Sequence, residues 1–437
     1  ADGVELVDKY PYLGYMTGND APVSADYNWI QSHDVDANMT SAPDGGNVFF
    51  TQIGSMYDEN GVKDTSDAQA HMSYFNGNYD GNTYYIKNIE INSKNTVVGL
   101  FGNIIGAKVN NVILYSDKGN YIQRRSDSEK SWHAMGGMCG LAAVGKGKSS
   151  DDVKISNCTV SGYTIRDNTT KGAWGDTSIG GMFGMSTMDL SKCTAVNDIV
   201  VNTIFSGRME SVRVGGLVGS MRGYITNCYT GGKIVCTKKC IDNVSKNRQG
   251  SRLMLAGISG GIYIKNKGNL LTLLGESILG IKDYKDDTNG NNKKCESPAT
   301  VIRNCYTYVE MPNDPAYIDK ITSIEPIGSN GETHDEKRDN YHVKIEISNC
   351  YYYEDNIPKS IQKNYKIKEI WGANSNADWN NIDATAIPLS WAEMAGEVEV
   401  DSTIGGEANG QKVQGDFVTL LNTPSNANEV SATLATV

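Results

Sequence analysis

Ile155-Ser156-Asn157-Cys158 is one of seven copies of a four-residue motif: an aliphatic residue, any residue, Asn, then Cys or an aliphatic residue. One copy carries Lys in the Asn position. The other copies are Ile86-Lys87-Asn88-Ile89, Val109-Asn110-Asn111-Val112, Leu190-Ser191-Lys192-Cys193, Ile225-Thr226-Asn227-Cys228, Ile302-Arg303-Asn304-Cys305 and Ile347-Ser348-Asn349-Cys350. Recurrence on this scale indicates an internal repeat, so we expect a repeat architecture.

The motif predicts a bend in a β-strand. Residues i and i+3 of a straight strand lie on opposite faces, yet the first and fourth positions of the motif are both apolar. A bend at the two middle residues lets both side chains point inward, and Asn tolerates the left-handed backbone that such a bend requires. Upstream, the alternation of Val153 with Ile155 is typical of a half-buried strand. Each copy is therefore predicted to form a strand, an Asn corner and a second strand.

A second motif, Gly, a bulky apolar residue, any residue and Gly, occurs five times. Its glycines are Gly99 and Gly102, Gly137 and Gly140, Gly181 and Gly184, Gly216 and Gly219, and Gly257 and Gly260. The apolar residue of each copy is expected to point inward; these residues are Leu100, Met138, Met182, Leu217 and Ile258. The glycines are expected at another corner, where close packing or a positive φ excludes a Cβ.

Stacking of successive coils at about 4.8 Å explains both motifs and predicts parallel sheets around a continuous core. Equivalent residues should form columns. We expect an amide ladder of Asn88, Asn111, Asn157, Asn227, Asn304 and Asn349. We expect beside it a buried thiol column of Cys158, Cys193, Cys228, Cys305 and Cys350.

The spacing of the first motif predicts the length of one coil. From Ile89 onward the intervals between fourth positions are 23, 46, 35, 35, 77 and 45 residues. These values indicate a minimal coil of about 23 residues with loops inserted at one edge. We interpret the interval 228–305 as one coil plus a long insertion at about 265–298, with two degenerate coils as the alternative.

Both motifs resemble the GLUG repeat of bacterial surface adhesin-like proteins, which also lies beside the catalytic domain of some IgA-specific metallopeptidases. The segment from Phe50 to Gly54 is similar to the lead-in of that family, and the segment from Phe75 to Asn82 is similar to its hairpin. The resemblance covers about residues 49–355. It implies an all-β, right-handed parallel β-helix, a secreted or bacterial cell-surface location, and no catalytic residue.

The resemblance and the motifs divide the chain into three parts. Residues 1–48 are expected to be an N-terminal cap, residues 49–355 the β-helix repeats, and residues 356–437 a C-terminal cap and tail. The chain begins at Ala1 without an initiator Met, which we interpret as a removed signal peptide or a chosen boundary.

Composition excludes two classes of partner. Lys and Arg number 40 against 51 Asp and Glu, giving a net charge of −11, which argues against nucleic acid because phosphates require a basic face. The longest apolar stretch, from Leu270 to Ile281, is shorter than the ~20 residues of a membrane span. We therefore expect neither nucleic acid nor a membrane span.

Metal sites and cofactors have little support in the sequence. None of the five His residues forms the His-Glu-x-x-His pair of a metallopeptidase. A weak calcium-loop candidate contains Asp287, Asn289 and Glu296, but Lys285 occupies its first ligand position. A polar turn is the preferred interpretation there, and Asp80-Gly81-Asn82 is interpreted as a hairpin turn. No cofactor is predicted.

The cysteines of the column are expected to be reduced, because stacked parallel side chains rarely reach disulfide torsions. Cys236, Cys240 and Cys295 lie off the pattern and are the better candidates for a disulfide. Among the 24 Tyr residues, the cluster from Tyr351 to Tyr353 offers a weaker possibility of glycan contact.

Three functions fit these patterns. The preferred hypothesis is a non-enzymatic adhesin-like stalk whose loops display binding sites for an unknown host or cell-surface ligand, either glycan or protein. The second is a polysaccharide lyase or glycoside hydrolase built on a β-helix, which only fold analogy supports. The third is an accessory region of a larger exported peptidase.

Overall fold

The protein is all-β in a computed structural model. The structure describes residues 28–38, 50, 52–54, 74–126, 133–169, 177–204, 211–246, 252–261, 300–329, 345–358 and 383–389. The predicted all-β class is confirmed, and every strand pair within these ranges is parallel.

The described part of the chain contains strands of two to eleven residues. In the first half they are β1 (Asn28–Ile30), β2 (Val35–Asp36), β3 (Asn78–Asp80), β4 (Tyr85–Lys87), β5 (Ile91–Ser93), β6 (Val97–Val98), β7 (Phe101–Ile105), β8 (Lys108–Asn110), β9 (Ile113–Tyr115), β10 (Tyr121–Ser126), β11 (His133–Gly136), β12 (Cys139–Ala143), β13 (Lys154–Ser156), β14 (Thr159–Thr169), β15 (Thr177–Gly180) and β16 (Phe183–Ser186). They continue as β17 (Asp189–Ser191), β18 (Thr194–Val201), β19 (Ser211–Gly215), β20 (Val218–Met221), β21 (Gly223–Thr226), β22 (Tyr229–Gly231), β23 (Ile234–Cys236), β24 (Arg252–Ala256), β25 (Thr300–Arg303), β26 (Tyr306–Thr307), β27 (Ser323–Glu325), β28 (Ile345–Tyr353) and β29 (Asp383–Leu389).

Short helices interrupt the strands at the chain's longer connections. Helix α1 spans Lys238–Lys246, helix α2 spans Pro315–Ile318, and a 3₁₀ turn spans Glu354–Asn356. Asp314 caps α2, its carboxylate accepting from the Ala316 amide at 2.9 Å. None of the helices in the described ranges is long and apolar enough to cross a membrane.

The strands form three parallel sheets. Sheet 1 has 19 strands and contains β1–β5, β8–β10, β13, β14, β17, β18, β21–β23, β25, β26, β28 and β29. Sheet 2 has six strands in the order β27-β24-β19-β15-β11-β6, and sheet 3 has four in the order β20-β16-β12-β7. Successive passes of the chain therefore add one strand after another to the same three sheets.

Repeats are stacked in register. The aliphatic first position of each motif from Val109 onward pairs with the first position of the next copy. This column runs Val109, Ile155, Leu190, Ile225, Ile302 and Ile347. Because Ile225 pairs directly with Ile302, the interval 228–305 contributes one strand layer to sheet 1 and not two. The predicted insertion at about 265–298 lies outside the described residues.

The predicted minimal coil of 23 residues is wrong. Ile86 pairs with Leu114, so the shortest pass between equivalent residues is 28 residues. The value of 23 assumed that the motif at Ile86 stacks on the motif at Val109. In the structure Val109 pairs with Tyr79, so the two motifs are not equivalent positions.

The parallel stack also extends beyond the predicted repeat boundaries. Strands β1 and β2, within residues 1–48, pair with β3 and β4. Strand β29, within residues 356–437, pairs with β28. Apart from residues 28–38, 356–358 and 383–389, both predicted caps lie outside the described residues.

The core runs continuously beneath all three sheets. The inward apolar residues of the Gly motif, Leu100, Met138, Met182, Leu217 and Ile258, are all buried. Of the two reasons proposed for the motif glycines, close packing applies, because none of them has a positive φ. A Cβ on Gly181 would overlap the carbonyl oxygen of Gly216, and a Cβ on Gly216 would overlap that of Gly257. The glycines thus let consecutive backbones approach each other at the corner.

Replacement of Gly216 by Ala is expected to lower the free energy of unfolding by about 3 kcal/mol, because the added methyl meets rigid backbone. Urea unfolding at equilibrium measures this loss. Gly147→Asn is the control: its position has a positive φ, which Asn tolerates, and nothing lies within 4 Å of the added Cβ. Equal stability of the two variants would contradict the packing explanation.

Candidate functional site

The Asn corner of the repeats has a left-handed backbone. The φ values are +56° at Asn111, +56° at Asn157, +52° at Lys192, +55° at Asn227 and +54° at Asn304. Such a backbone costs most L-residues about 1–2 kcal/mol and costs Asn less. The strand before the corner and the strand after it therefore both direct their apolar residues into the core.

Amide side chains bond to each other along part of this corner. Asn157 Nδ2 donates to Asn111 Oδ1 at 3.1 Å, and Asn304 Nδ2 donates to Asn227 Oδ1 at 3.2 Å. Lys192 lies between the two pairs and has no side-chain oxygen or amide to continue the ladder. Consistent with this break, Asn157 Oδ1 is buried without a hydrogen-bond partner within the described part of the chain. Asn349 lies within β28, and its side chain lies outside the described set.

The placement of Asn88 in this ladder is wrong. Asn88 also has a positive φ, +58°. Its backbone N–H, however, donates to the Tyr115 carbonyl at 2.9 Å, so Asn88 lies at a second corner of the coil. The same corner in a later repeat is occupied by Gly162, with φ +79°. The motif at Ile86 matched the others because both corners need the same left-handed backbone.

The position that stacks on Asn111 belongs to the turn Asp80-Gly81-Asn82. Asn111 Nδ2 donates to Asp80 Oδ1 at 2.9 Å, and the Gly81 amide donates to the Asn110 carbonyl. The interpretation of this turn as a hairpin is wrong, because β3 and β4 on either side of it pair with β8 and β9 and not with each other. It is a corner of the stack.

The five cysteines of the predicted column are buried and free. The amide of Cys193 donates to the sulfur of Cys228 at 3.4 Å, and the amide of Cys228 donates to that of Cys305 at 3.4 Å. Burial raises the pKa of the Cys228 and Cys305 thiols, which favours their protonated form. Cys228 and Cys305 therefore behave as small apolar side chains that also accept backbone hydrogen bonds, whereas hydrogen bonds with Cys158 and Cys228 lower the pKa of Cys193.

The off-pattern cysteines are not joined in the structure. Cys236 is half-buried, Cys240 is buried, and both are free thiols. Cys295 lies outside the described residues, so a disulfide that involves it stays a prediction.

The remaining metal candidates also fall largely outside the described residues. Asp287, Asn289 and Glu296 of the weak calcium loop lie there, as do His71, His334 and His342. Within the described ranges, no three His, Cys, Asp or Glu side chains are placed to hold a metal ion. Of the two His residues that the structure does describe, His33 is exposed and His133 is buried.

A buried ionic cluster of Arg124, Asp167 and His133 lies where sheet 1 meets sheet 2. Arg124 and Asp167 are direct partners on β10 and β14, and His133 begins β11. Their exposed fractions are 1%, 0% and 1%. His133 Nε2 lies 3.3 Å from Asp167 Oδ1.

The Thr169 hydroxyl connects Arg124 to Asp167. Arg124 Nη1 donates to Thr169 Oγ1 at 2.9 Å, and Thr169 Oγ1 in turn donates to Asp167 Oδ1 at 2.9 Å. The Thr203 hydroxyl donates to Asp167 Oδ2. Burial would raise the pKa of the Asp167 carboxyl, but His133 and Arg124 outweigh burial and lower that pKa to about 2. Asp167 is therefore a buried carboxylate at neutral pH, held by cationic and hydroxyl neighbours.

The ionic cluster was not predicted, although the sequence contains a signal for it. In β14 the buried positions alternate as Tyr163, Ile165 and Asp167, so a charged residue occupies an inward position. The alternation of inward and outward residues along β14 is enough to identify Asp167 as buried. Arg124 and His133 contact it from β10 and β11, and the sequence motifs do not predict how these strands align with β14.

On the opposite side of the same strands, an outward-facing patch is defined here as the basic face. It consists of Asn92, Lys94, Tyr121, Gln123, Arg125 and Arg166, with Gln123 paired to both Asn92 and Arg166. The Arg166 guanidinium lies over the Tyr121 ring, 4.4 Å from its centroid. Tyr121 is 39% exposed.

Comparisons with known proteins give one similar solved structure. It is a putative immunoglobulin A1 protease from Bacteroides ovatus, 13% identical, with a TM-score of 0.32 over 70% of this chain and 78% of that chain. No protein-family model and no curated protein matches the chain. The GLUG resemblance therefore depends on the motifs quoted above.

Lys192→Asn is expected to raise the free energy of unfolding by about 1 kcal/mol, because an amide at this corner supplies the missing partner of Asn157 Oδ1. Urea unfolding measures the gain. Lys192→Ala is the control, since it removes the lysine side chain without supplying an amide. A gain of the same size in the alanine variant would show that the ladder is not the cause.

Asp167→Asn is expected to cost about 2–3 kcal/mol of stability at pH 7. The folded pKa of about 2 lies below the unfolded value near 3.9, so the stabilisation is complete above about pH 5 and is lost as the pH falls through 2. The difference between wild type and variant should narrow over that interval in urea unfolding. Asp151→Asn is the control, because that carboxylate is exposed and lies outside the ionic cluster. A difference independent of pH between 5 and 2 would exclude the carboxylate charge as the cause.

Proposed function

We propose that the protein is a non-enzymatic, secreted or cell-surface repeat protein that acts as an adhesin-like stalk and displays a ligand-binding surface. In this proposal the chain forms a right-handed parallel β-helix of the GLUG type. The ligand belongs to a host or to a neighbouring cell, and is a glycan or a protein.

Parallel pairing in register supports the β-helix. Each pass returns to the same sheet in the same direction, as in the column from Ile155 to Leu190 to Ile225. Connections between parallel strands of one sheet are right-handed in about 98% of cases, which favours the right-handed form. Such a stack is stiff along its axis, because each repeat packs only against its neighbours in a continuous core.

The observation that carries the display role is the contrast between inward and outward positions. The repeated residues are buried or lie at corners, whereas the outward residues of one row differ in chemistry from strand to strand. Tyr121 on β10 pairs with Thr164 on β14, and Thr164 pairs with Asp198 on β18. A scaffold with a repeated interior and a variable exterior suits binding of a ligand across several repeats.

Binding without turnover tests the proposal. The full chain should bind one or more members of an immobilised panel of glycans and extracellular proteins and should leave the glycans intact. Binding is measured by biolayer interferometry, and turnover by assays for reducing ends and unsaturated uronates. Release of either product, or failure to bind any member of the panel, would reject the display role.

A further inference from the structure

We propose that the basic face binds an acidic polysaccharide, a glycan chain that carries regularly spaced carboxylate or sulfate groups. This inference rests on the proposed display function and names the chemical class of its ligand.

The charge of the face favours an anionic ligand. The chain as a whole has a net charge of −11, yet three cations lie on neighbouring passes here: Lys94 directly after β5, Arg125 on β10 and Arg166 on β14. No ion pair engages these three cations within the part of the chain that the structure describes. By contrast, Lys233 forms an ion pair with Asp198, in which Lys233 Nζ lies 3.3 Å from Asp198 Oδ2. The basic face therefore has a local positive potential that a polyanion would complement.

The donors on the face match carboxylates and sulfates in geometry. A guanidinium presents a planar fork of N–H donors that binds two oxygens of one anionic group. Arg166 is held in place by the Tyr121 ring, and its Nε is buried without a hydrogen-bond partner among the described residues. A pre-positioned Arg loses less side-chain freedom on binding, and Arg125 stands one strand away with an exposed side chain.

Sugar hydroxyls and ring faces would find partners beside these cations. Gln123 Nε2 bonds Asn92 Oδ1 at 3.4 Å, which is a long contact that a hydroxyl could replace. Asn168, the cross-strand partner of Arg125, accepts a hydrogen bond from Asn202 Nδ2 at 2.8 Å. Amides offer both donors and acceptors, as a hydroxyl requires. Tyr121, which is 39% exposed, adds apolar surface beside these cations.

The arrangement favours a glycan over other polyanions. Three cations on one face are few for a nucleic acid, whose binding draws on many phosphate contacts, and the remaining surface is net acidic. The rows of amides instead suit a chain rich in hydroxyls. Since each row repeats at the strand spacing of about 4.8 Å, the face is best suited to an extended polymer lying across the strands.

The test measures binding of the full chain to four probes: polygalacturonate, heparan sulfate, neutral dextran and single-stranded DNA. Wild type should bind at least one of the two acidic polysaccharides, bind dextran and DNA at least tenfold more weakly, and lose affinity as salt rises. Arg125→Gln with Arg166→Gln should weaken acidic-polysaccharide binding at least tenfold, and Tyr121→Ala should weaken it at least threefold.

The matched control is Lys146→Gln with Lys154→Gln, which removes two exposed cations away from the face and changes the net charge equally. It should alter binding less than threefold. Circular dichroism and thermal unfolding verify that each variant folds. Equal loss in both double variants, preference for dextran or DNA, or no binding to either acidic polysaccharide would overturn the inference.

These results separate the inference from the display function on which it rests. If the wild-type chain binds a neutral glycan or a protein from the panel but neither acidic polysaccharide, the inference fails and the display function stands. If the chain cleaves the polysaccharide or binds nothing in the panel, the display function itself fails.

Discussion

The left-handed corner at the Asn positions is the constraint on which the rest of the structure depends. A strand alternates its side chains, so two apolar residues three positions apart can both be buried only if the backbone bends between them. Asn157 supplies that bend at φ +56°. Once parity is reset there, Ile155 and Cys158 both enter the core, and parallel pairing in register places each above its equivalent in the next pass.

Close packing at the Gly corner sets the second condition. Where Gly181 approaches Gly216 and Gly216 approaches Gly257, the space for a Cβ is occupied by a carbonyl oxygen of the next pass. The two corners solve different problems. The Asn corner needs an unusual backbone angle, whereas the Gly corner needs a missing side chain. Together they tie each pass of the chain to the one above it, and this leaves the outward positions free to vary.

Structural features that recur in every repeat could be predicted from the sequence, whereas contacts made by a single residue could not. Parallel strands, the corners at Asn111, Asn157, Asn227 and Asn304, and the buried cysteines follow from motif spacing and strand parity. The prediction placed Asn88 at the wrong corner. The presence of Asn indicates that the backbone can be left-handed there, but it does not indicate which corner of the coil the residue occupies. The cluster of Arg124 and Asp167 was missed because their pairing depends on the register between passes separated by an irregular insertion, and spacing does not encode that register.

The inner and outer chemistry of β10 are linked by strand alternation. Gln123 and Arg125 point outward while Arg124, between them, is buried and bonded through Thr169 to Asp167. A buried ion pair seldom adds net stability over apolar residues of the same size, but removal of one partner is costly. Arg124 and Asp167 are cross-strand partners, so we expect loss of either one to disturb the register of β10 on β14. That register also places Gln123 beside Arg166. It brings the Tyr121 ring beneath the Arg166 guanidinium as well. We therefore expect the geometry of the basic face to change when the buried charge beneath it is removed.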